Sequence, residues 1–265
     1  MTPETIEINK IYNQSNLETM ARMPDNFIDL TVTSPPYDNL RDYKGYTFPF
    51  EEIARELFRV TKQGGVVVWV VGDATINGSE SGTSFRQALY FMECGFNLHD
   101  TMIYAKENPI PLTHNRYEQS FEYMFVLSKG KPKTFNPLKA KCVTNGSYNN
   151  RRNTAAVKEA ATRNRDEKTY VKTDKFRINI WHYTIGNNED KTRHPAPFPE
   201  KLAAEHIYSW SNEGDLVYDC FAGSGTTLKM AHLQKRNWIG SEISTDYCEL
   251  ATKRITPYLQ QKTIF

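Results

Sequence analysis

Six short apolar runs along the chain have the length and composition of buried β-strands. They are residues 28–33, 66–71, 99–105, 123–127, 216–220 and 238–241, with a weaker run near 6–12. Between them, apolar residues recur at helical spacing in segments 50–60, 84–94, 199–210, 226–234 and 245–258. Strands that alternate with helices predict an α/β fold, with a parallel sheet covered by helices on both faces.

The region 129–182 breaks this rhythm, because it is rich in Asn, Lys, Arg and Thr and poor in aliphatic residues. Residues 129–177 contain 14 Lys and Arg against 4 Asp and Glu, although the whole chain has a net charge of only +2. A basic segment in an acidic body is expected of an element that binds a polyanion, and a solvated loop is the alternative. We interpret 129–182 as an insertion into one domain, whose halves are 1–128 and 183–265.

The composition excludes several classes of protein. With 265 residues, 39% hydrophobic and 24% charged, the chain is long and apolar enough to bury a core, which excludes wholesale disorder. The longest all-apolar run is 66–71, far short of the ~20 residues of a membrane span. The start lacks a signal-peptide pattern, and the four cysteines have neither metal-ligand spacing nor the density of a disulfide framework. We therefore expect a soluble, cytoplasmic protein without a metal site.

A glycine-rich turn follows the strand at 216–220 and leads into a helix. Gly223 and Gly225 allow a tight turn and close approach of a ligand, and the helix N-terminus favours an anionic group. The next strand ends at Glu242, where α/β nucleotide folds place a carboxylate that binds ribose hydroxyls. The turn lacks the lysine of a P-loop and the third glycine of a dinucleotide fingerprint. A nucleoside with a small polar tail is the favoured ligand, and an ordinary tight turn is the alternative.

A second polar element, Ser34-Pro35-Pro36-Tyr37, follows the strand at 28–33. The two prolines make this exit rigid, so that the Ser34 hydroxyl and the Pro35 carbonyl are two acceptors aimed at one point. Tyr37 offers a ring for stacking, and the set suits a flipped base with an exocyclic amine. When these two acceptors take hydrogen bonds from both N–H groups of the amine, the lone pair of the nitrogen becomes localised. The nitrogen can then attack a sulfonium methyl group directly, and the site acts by orientation and electrostatics. A rigid surface turn is the alternative.

These motifs together resemble those of DNA amino-methyltransferases. Residues 33–37 with 39–43 resemble the catalytic motif IV, 219–225 the S-adenosylmethionine motif I, 194–202 motif X and 238–242 motif II. The order, with the catalytic motif first, the basic insertion next and the cofactor motifs last, resembles the β class. The similarity covers roughly residues 6–256. It implies a Rossmann-like S-adenosylmethionine-dependent methyltransferase sheet and a role in DNA methylation, as in restriction-modification.

The resemblance implies roles at matching positions. The catalytic residues would be Ser34, Pro35, Pro36 and Tyr37. The cofactor, S-adenosyl-L-methionine, would be bound by Ser15, Pro197, Phe198, Asp219, Cys220, Phe221, Ala222, Gly223, Ser224, Gly225, Thr226, Glu242 and Ile243. Family members often carry an Asp-Ser pair near the adenine, whereas this chain has residues 13–16, Asn-Gln-Ser-Asn, so only Ser15 is carried over.

The resemblance also bears on the target base. Serine at the first catalytic position is more frequent among cytosine-N4 enzymes and aspartate among adenine-N6 enzymes, so Ser34 favours cytosine N4, with adenine N6 as the alternative. The sequence disfavours methylation at cytosine C5, because that reaction uses a cysteine nucleophile that usually follows a proline, and the chain has no Pro-Cys pair. The sequence also leaves open an RNA or protein substrate and a catalytically silent DNA-binding module.

The predicted partner is double-stranded DNA. Phosphate contacts are expected from basic residues beside the catalytic turn and in the insertion: Arg41, Arg151, Arg152, Arg163, Arg165, Lys168 and Lys172. A solvated loop is the alternative for each residue of the insertion. A cognate restriction endonuclease and a homodimer are candidate partners that the sequence leaves open.

Asp73 follows the apolar run 66–71 and so falls where parallel strands end. A side chain at this edge can contact a ligand. An aspartate before a helix can equally cap it, and the sequence leaves both readings open.

Overall fold

The computed structural model describes residues 6–36, 48–109, 116–142, 148–149, 169–170, 174–184 and 199–259. The strands are β1 Lys10–Tyr12, β2 Ile28–Thr33, β3 Thr61–Val71, β4 Thr75–Ile76, β5 Ser79–Glu80, β6 Asn97–Lys106, β7 Phe121–Ser128, β8 Lys139–Lys141, β9 Tyr148–Asn149, β10 Thr169–Tyr170, β11 Asp174–Phe176, β12 Ile180–Tyr183, β13 Leu216–Asp219 and β14 Asn237–Ser241. The helices are α1 Asn16–Ala21, α2 Phe50–Val60, α3 Thr83–Glu93, α4 Glu200–Trp210, α5 Thr226–Leu233 and α6 Thr245–Leu259. The six strands and five helices predicted from apolar spacing are all present.

The larger of two compact units contains Met1–Asn136 and Asn179–Phe265, and is built on an eight-stranded sheet. Its strand order is β1-β14-β13-β2-β3-β7-β6-β12. Strand β7 pairs antiparallel with both β3 and β6, whereas the other described pairs of this sheet are parallel. The predicted parallel sheet is therefore present, and β7 is the exception within the described strands.

The reversal of β7 has a physical reason in the segment that precedes it. Residues 107–120 contain Pro109 and Pro111 and carry no helical apolar repeat. A parallel return to the same sheet needs a crossover, usually a helix, whereas an antiparallel return does not. Alternation of strands and helices predicts direction only where a helix separates two strands, and the described residues between β6 and β7, 107–109 and 116–120, contain none.

Helices cover both faces of the sheet, as predicted, and β3 separates two cores. Val67, Trp69 and Val71 pack in one core with residues of α1, α2 and α3. Val66, Val68 and Val70 are buried on the other face. Helix α4 lies on that second face, because His206 Nε2 is 3.2 Å from the sulfur of Met124, which pairs with Val70. Helices α5 and α6 pack in series beside α4.

The smaller compact unit is Pro137–Ile178. Strands β8 and β11 pair antiparallel within it, and an ion pair joins Lys141 and Asp174 across them at 2.9 Å. Strands β9 and β10 also pair antiparallel. The predicted insertion 129–182 contains this unit, while strand β12 at its end pairs with β6 in the large sheet.

Candidate functional site

Four neighbouring parallel strands, β1, β14, β13 and β2, end along one edge of the sheet, called here the carboxyl edge. Strand β2 continues into Ser34, Pro35 and Pro36, β13 continues into the glycine turn 220–225, and β14 continues into Glu242. The ends of parallel strands are where open α/β sheets bind ligands. The fold thus brings the predicted catalytic turn and the predicted cofactor turn to one edge.

A hydrogen bond joins these two segments directly. The Thr33 hydroxyl donates to Asp219 Oδ1 at 2.7 Å, across 186 positions of sequence, and the Phe221 N–H donates to the same oxygen at 3.1 Å. Asp219 is 5% exposed. Burial raises the pKa of this carboxyl to about 6, against hydrogen bonds from Thr33, Thr227 and Phe221 that favour the charged form. These contacts are internal to the protein, and a cofactor contact of Asp219 stays a prediction.

The glycine turn has the shape that its sequence predicts. The Ala222 N–H donates to Ser241 O at 2.9 Å, which ties the turn to β14. Gly223 has φ +49° and Gly225, the N-cap of α5, has φ +78°, values that side-chain-bearing residues rarely adopt. A Cβ on Gly225 would also lie 2.8 Å from the Ala251 Cβ of α6. Gly225 is therefore required both for its backbone angle and for the close approach of α5 to α6.

Glu242 contacts the glycine turn with one carboxylate oxygen and the backbone two residues after itself with the other. Oε2 accepts from the Gly223 N–H at 2.8 Å, and Oε1 accepts from the Ser244 N–H at 2.8 Å. Burial raises the pKa of Glu242, while the backbone hydrogen bonds favour its charged form. A carboxylate has about four acceptor positions, so each oxygen can also accept from a ligand hydroxyl.

The turn between β1 and α1 reaches the same edge, with roles that the sequence did not predict. Ser15 caps α1: its hydroxyl accepts from the Glu18 N–H at 3.1 Å, and the Glu18 carboxylate accepts from the Ser15 N–H. The buried Asn16 donates to Cys220 O at 3.2 Å, and Asn13 donates to Glu242 O at 3.0 Å. Both asparagines were missed, because the comparison with family motifs looked for an acidic residue here.

The catalytic turn is described as far as Pro36. Ser34 and Pro36 are partly exposed and Pro35 is buried. Ser34 directly follows Thr33, whose hydroxyl is fixed on Asp219, so the start of the turn is anchored to the glycine turn. The Cys220 thiol is buried and 3.7 Å from the Thr33 hydroxyl, and burial raises its pKa well above the ordinary value. This thiol therefore belongs to a small buried side chain.

Asp73 acts as a helix cap, one of its two predicted alternatives. Its carboxylate accepts from the Ser84 N–H at 2.9 Å and from the Ser84 hydroxyl at 2.5 Å. The Ser81 hydroxyl donates to it at 3.0 Å. These bonds satisfy free donors at the start of α3 and fix the chain that leaves β3.

Several predicted site residues lie outside the described residues, so their roles stay predictions. They are Tyr37, Arg41, Arg151, Arg152, Arg163, Arg165, Lys168, Lys172, Pro197 and Phe198.

Aromatic packing supports the glycine turn. Phe221 packs edge-on against Phe48 and Trp69, with ring centroids 5.7 and 6.1 Å away. Phe48 and Trp69 thus form a rigid support that sequence motifs did not mark.

The donor set at the carboxyl edge fits S-adenosylmethionine, the group that the resemblance implies. Glu242 has acceptor positions that ribose hydroxyls could use, and the N-terminus of α5 would favour an anionic tail. Within the described ranges, no cluster of three or more His, Cys, Asp or Glu side chains is placed to hold a metal ion. Among the helices of the described part, none has the length and apolarity needed to cross a membrane.

Known proteins resemble this chain along nearly its whole length. Residues 28–253 match the N6_N4_Mtase family, described as DNA methylase. The orphan methyltransferase M.BamHII from Bacillus amyloliquefaciens is 55% identical over 243 residues, which are 89% of this chain and 91% of that protein.

Solved structures share the fold. TTHA0409 from Thermus thermophilus has a TM-score of 0.63 at 26% identity, over 96% of this chain and 97% of that one. TTHA0409 has also been solved in complex with S-adenosyl-L-methionine. The cytosine-N4-specific PvuII DNA methyltransferase has a TM-score of 0.69 at 19% identity, over 98% of this chain and 89% of that one. With the family match over most of its length, the chain belongs to the N6_N4_Mtase family of DNA methylases.

Proposed function

We propose that this DNA methyltransferase modifies the exocyclic N4 amine of cytosine in double-stranded DNA, with adenine N6 as the second candidate. The observation that carries the proposal is Ser34 at the head of the Pro35-Pro36 turn, on the strand next to the glycine turn. In related enzymes serine at this position is more frequent where the target is cytosine N4. A neutral hydroxyl and a charged carboxylate can both accept from an amine, so adenine stays the alternative.

The chain's own residues would act mainly by orientation. The Ser34 hydroxyl and the Pro35 carbonyl would each accept one N–H of the target amine, which localises its lone pair. The Tyr37 ring would receive the flipped base by stacking. When bound, S-adenosylmethionine supplies an electrophilic sulfonium methyl group. The Thr33–Asp219 hydrogen bond supports this arrangement, because it fixes the amine-binding turn relative to the glycine turn.

The cofactor residues are proposed from the motif resemblance and, for Glu242, also from the geometry of its carboxylate. Glu242 would bind the ribose hydroxyls with the acceptor positions left free by Gly223 and Ser244. The rest of the pocket would be formed by Ser15, Pro197, Phe198, Asp219, Cys220, Phe221, Ala222, Ser224, Gly225, Thr226 and Ile243. The capping role of Ser15 uses one lone pair of its hydroxyl, which leaves the O–H donor and a second lone pair for a ligand.

DNA recognition is assigned to the basic insertion 129–182, between a catalytic part, 1–128, and a cofactor-binding part, 183–265. Its charge supports this assignment, since 14 of the 33 Lys and Arg residues fall within 129–177. Arg41 would add a phosphate contact beside the catalytic turn. A cognate endonuclease and a homodimer are further proposals, and M.BamHII, the relative at 55% identity, is an orphan methyltransferase.

The target base can be identified by mass spectrometry of the product. The purified protein would be incubated with unmethylated genomic DNA and S-adenosylmethionine carrying a deuterated methyl group, followed by digestion to nucleosides. Labelled N4-methylcytosine is the expected product, and labelled N6-methyladenine would refute the choice of base. The Ser34→Ala variant is the control and should give little label from either base. Labelled 5-methylcytosine would refute the amine chemistry itself.

A further inference from the structure

Three ionisable side chains, two of them buried and one partly buried, form a cluster beside the glycine turn. Lys229 of α5, Arg254 of α6 and Glu200, the first residue of α4, have side chains 2%, 5% and 13% exposed. Removing a charge from water costs several kcal/mol unless it is well paired, and buried ion pairs are weak contributors to stability. Their placement therefore calls for a role other than stability.

Arg254 of α6 donates hydrogen bonds to the glycine turn and to the first residue of α5. Its Nη1 lies 3.0 Å from Ser224 O, 3.1 Å from the Ser224 hydroxyl and 2.9 Å from the Thr226 hydroxyl. Ser224 and Thr226 flank Gly225, the residue with φ +78° that begins α5. One guanidinium thus holds both sides of the left-handed residue in the turn.

Glu200 links Arg254 to another part of the predicted cofactor site. Its Oε1 accepts from Arg254 Nη2 and, at 3.1 Å, from Lys229 Nζ. Lys229 also lies over the Tyr258 ring, 4.9 Å from the centroid. Glu200 stands two residues after Phe198, in the stretch 194–202 that resembles motif X. The cluster therefore joins the start of α4, the glycine turn and α6 through side chains 29 and 54 positions apart.

We infer that Arg254 is a positioning residue for S-adenosylmethionine binding, oriented by Glu200. It would keep the turn 223–226 in its binding conformation before the cofactor arrives, which lowers the entropy lost on binding. A lysine cannot replace it, because a single ammonium group lacks the planar fork that reaches the turn and Glu200 together. This inference rests on the proposed location of the cofactor in the glycine turn.

The experiment is titration calorimetry of S-adenosylmethionine and S-adenosylhomocysteine with the full-length Arg254→Lys variant. We expect both affinities to fall at least tenfold, while kcat at saturating cofactor stays within threefold of the unmodified protein. Glu200→Gln, which keeps the shape but removes the orienting charge, should weaken binding in the same direction by a smaller factor. This second variant keeps the inference testable if Arg254→Lys fails to fold.

Arg236→Lys is the matched control. Arg236 is also a buried arginine bonded to a serine, with Nη2 2.7 Å from Ser211 O and Nε 3.0 Å from the Ser211 hydroxyl, but it directly precedes β14, at the opposite edge. Arg236→Lys should leave cofactor affinity unchanged even if it lowers the unfolding midpoint by as much as Arg254→Lys does. An equal loss of affinity in both variants would overturn the inference and make Arg254 merely structural.

A further variant separates this inference from the proposed cofactor site. Glu242→Ala should abolish S-adenosylmethionine binding if the cofactor lies in the glycine turn. Loss of binding in Glu242→Ala with unchanged binding in Arg254→Lys and Glu200→Gln would overturn the inference alone. Unchanged binding in all three variants would overturn the cofactor location as well.

Discussion

The buried carboxyl of Asp219 should make the stability of the fold depend on pH. Burial raises its pKa from 3.8 to about 6, so the folded protein holds this proton more tightly than the unfolded chain. The stabilising contribution is complete below about pH 4, is lost as pH rises through the interval from about 4 to 6, and is absent above it. Since one pKa unit corresponds to about 1.4 kcal/mol, the full loss is about 3 kcal/mol.

The Asp219→Asn variant removes this titration with little change in shape. Its side-chain oxygen can still accept from the Thr33 hydroxyl and the Phe221 N–H. Relative to the unmodified protein, the free energy of unfolding of the variant should rise by about 2 to 3 kcal/mol between pH 4 and pH 7. The measurement is urea unfolding followed by tryptophan fluorescence at several pH values, with Asp246→Asn, at an exposed position, as the control for loss of one carboxylate.

The sign of the result decides the argument. If the stability difference between Asp219→Asn and the unmodified protein is constant across this interval, burial does not control the titration of Asp219. If the variant instead becomes relatively less stable as pH rises, the hydrogen bonds from Thr33 and Phe221 stabilise the carboxylate by more than burial penalises it. Either result would refute the reasoning, because it requires desolvation to outweigh those bonds.

Three other predictions test the turns and the insertion. Gly225→Ala should lower the free energy of unfolding by about 2 kcal/mol or more, because φ is +78° and the added Cβ meets α6; Gly214→Ala, with φ +85° and open space, is the control and should cost less. Tyr37→Ala should reduce turnover on DNA by about tenfold or more while leaving the Kd for S-adenosylmethionine unchanged, and a collapse of cofactor binding would contradict a stacking role. Replacing Arg151 and Arg152 by glutamine should reduce the magnitude of the slope of log K for DNA binding against log salt concentration by about 2. An unchanged slope would place the phosphate contacts elsewhere.

Much of the fold could be predicted from local pattern, and the buried ion cluster could not. Apolar spacing located the long strands and, of the six described helices, all but the short α1, because each of these elements buries a face against the sheet. A helical pattern treats arginine and lysine as solvent-facing, so it gives no sign that Arg254 and Lys229 are buried. Their partner Glu200 lies 54 and 29 positions away, and only the packing of α4, α5 and α6 brings the three together.

The candidate site was predictable in part for a related reason. The glycine turn and the Ser34-Pro35-Pro36 turn carry local signals, since glycine and proline fix backbone geometry within a few residues. Asn13 and Asn16 carry no such signal, because asparagine is common in turns. The carbonyl groups to which they donate, those of Glu242 and Cys220, directly follow strands that are distant in the sequence.

Sheet order, not order along the chain, brings the two halves of the site together. The ends of β2 and β13, Thr33 and Asp219, are 186 positions apart in the chain, yet the two strands pair directly. Val217 lies opposite Leu30, and Tyr218 lies opposite Thr31. Adjacent strands lie about 4.8 Å apart, so the turns that follow them are neighbours however far apart they are in the sequence. The Thr33–Asp219 hydrogen bond then fixes one turn against the other. The order of the two motifs along the chain therefore does not decide the site. A chain in which the cofactor-binding strand came first would build the same site, provided that the strands equivalent to β2 and β13 remained paired.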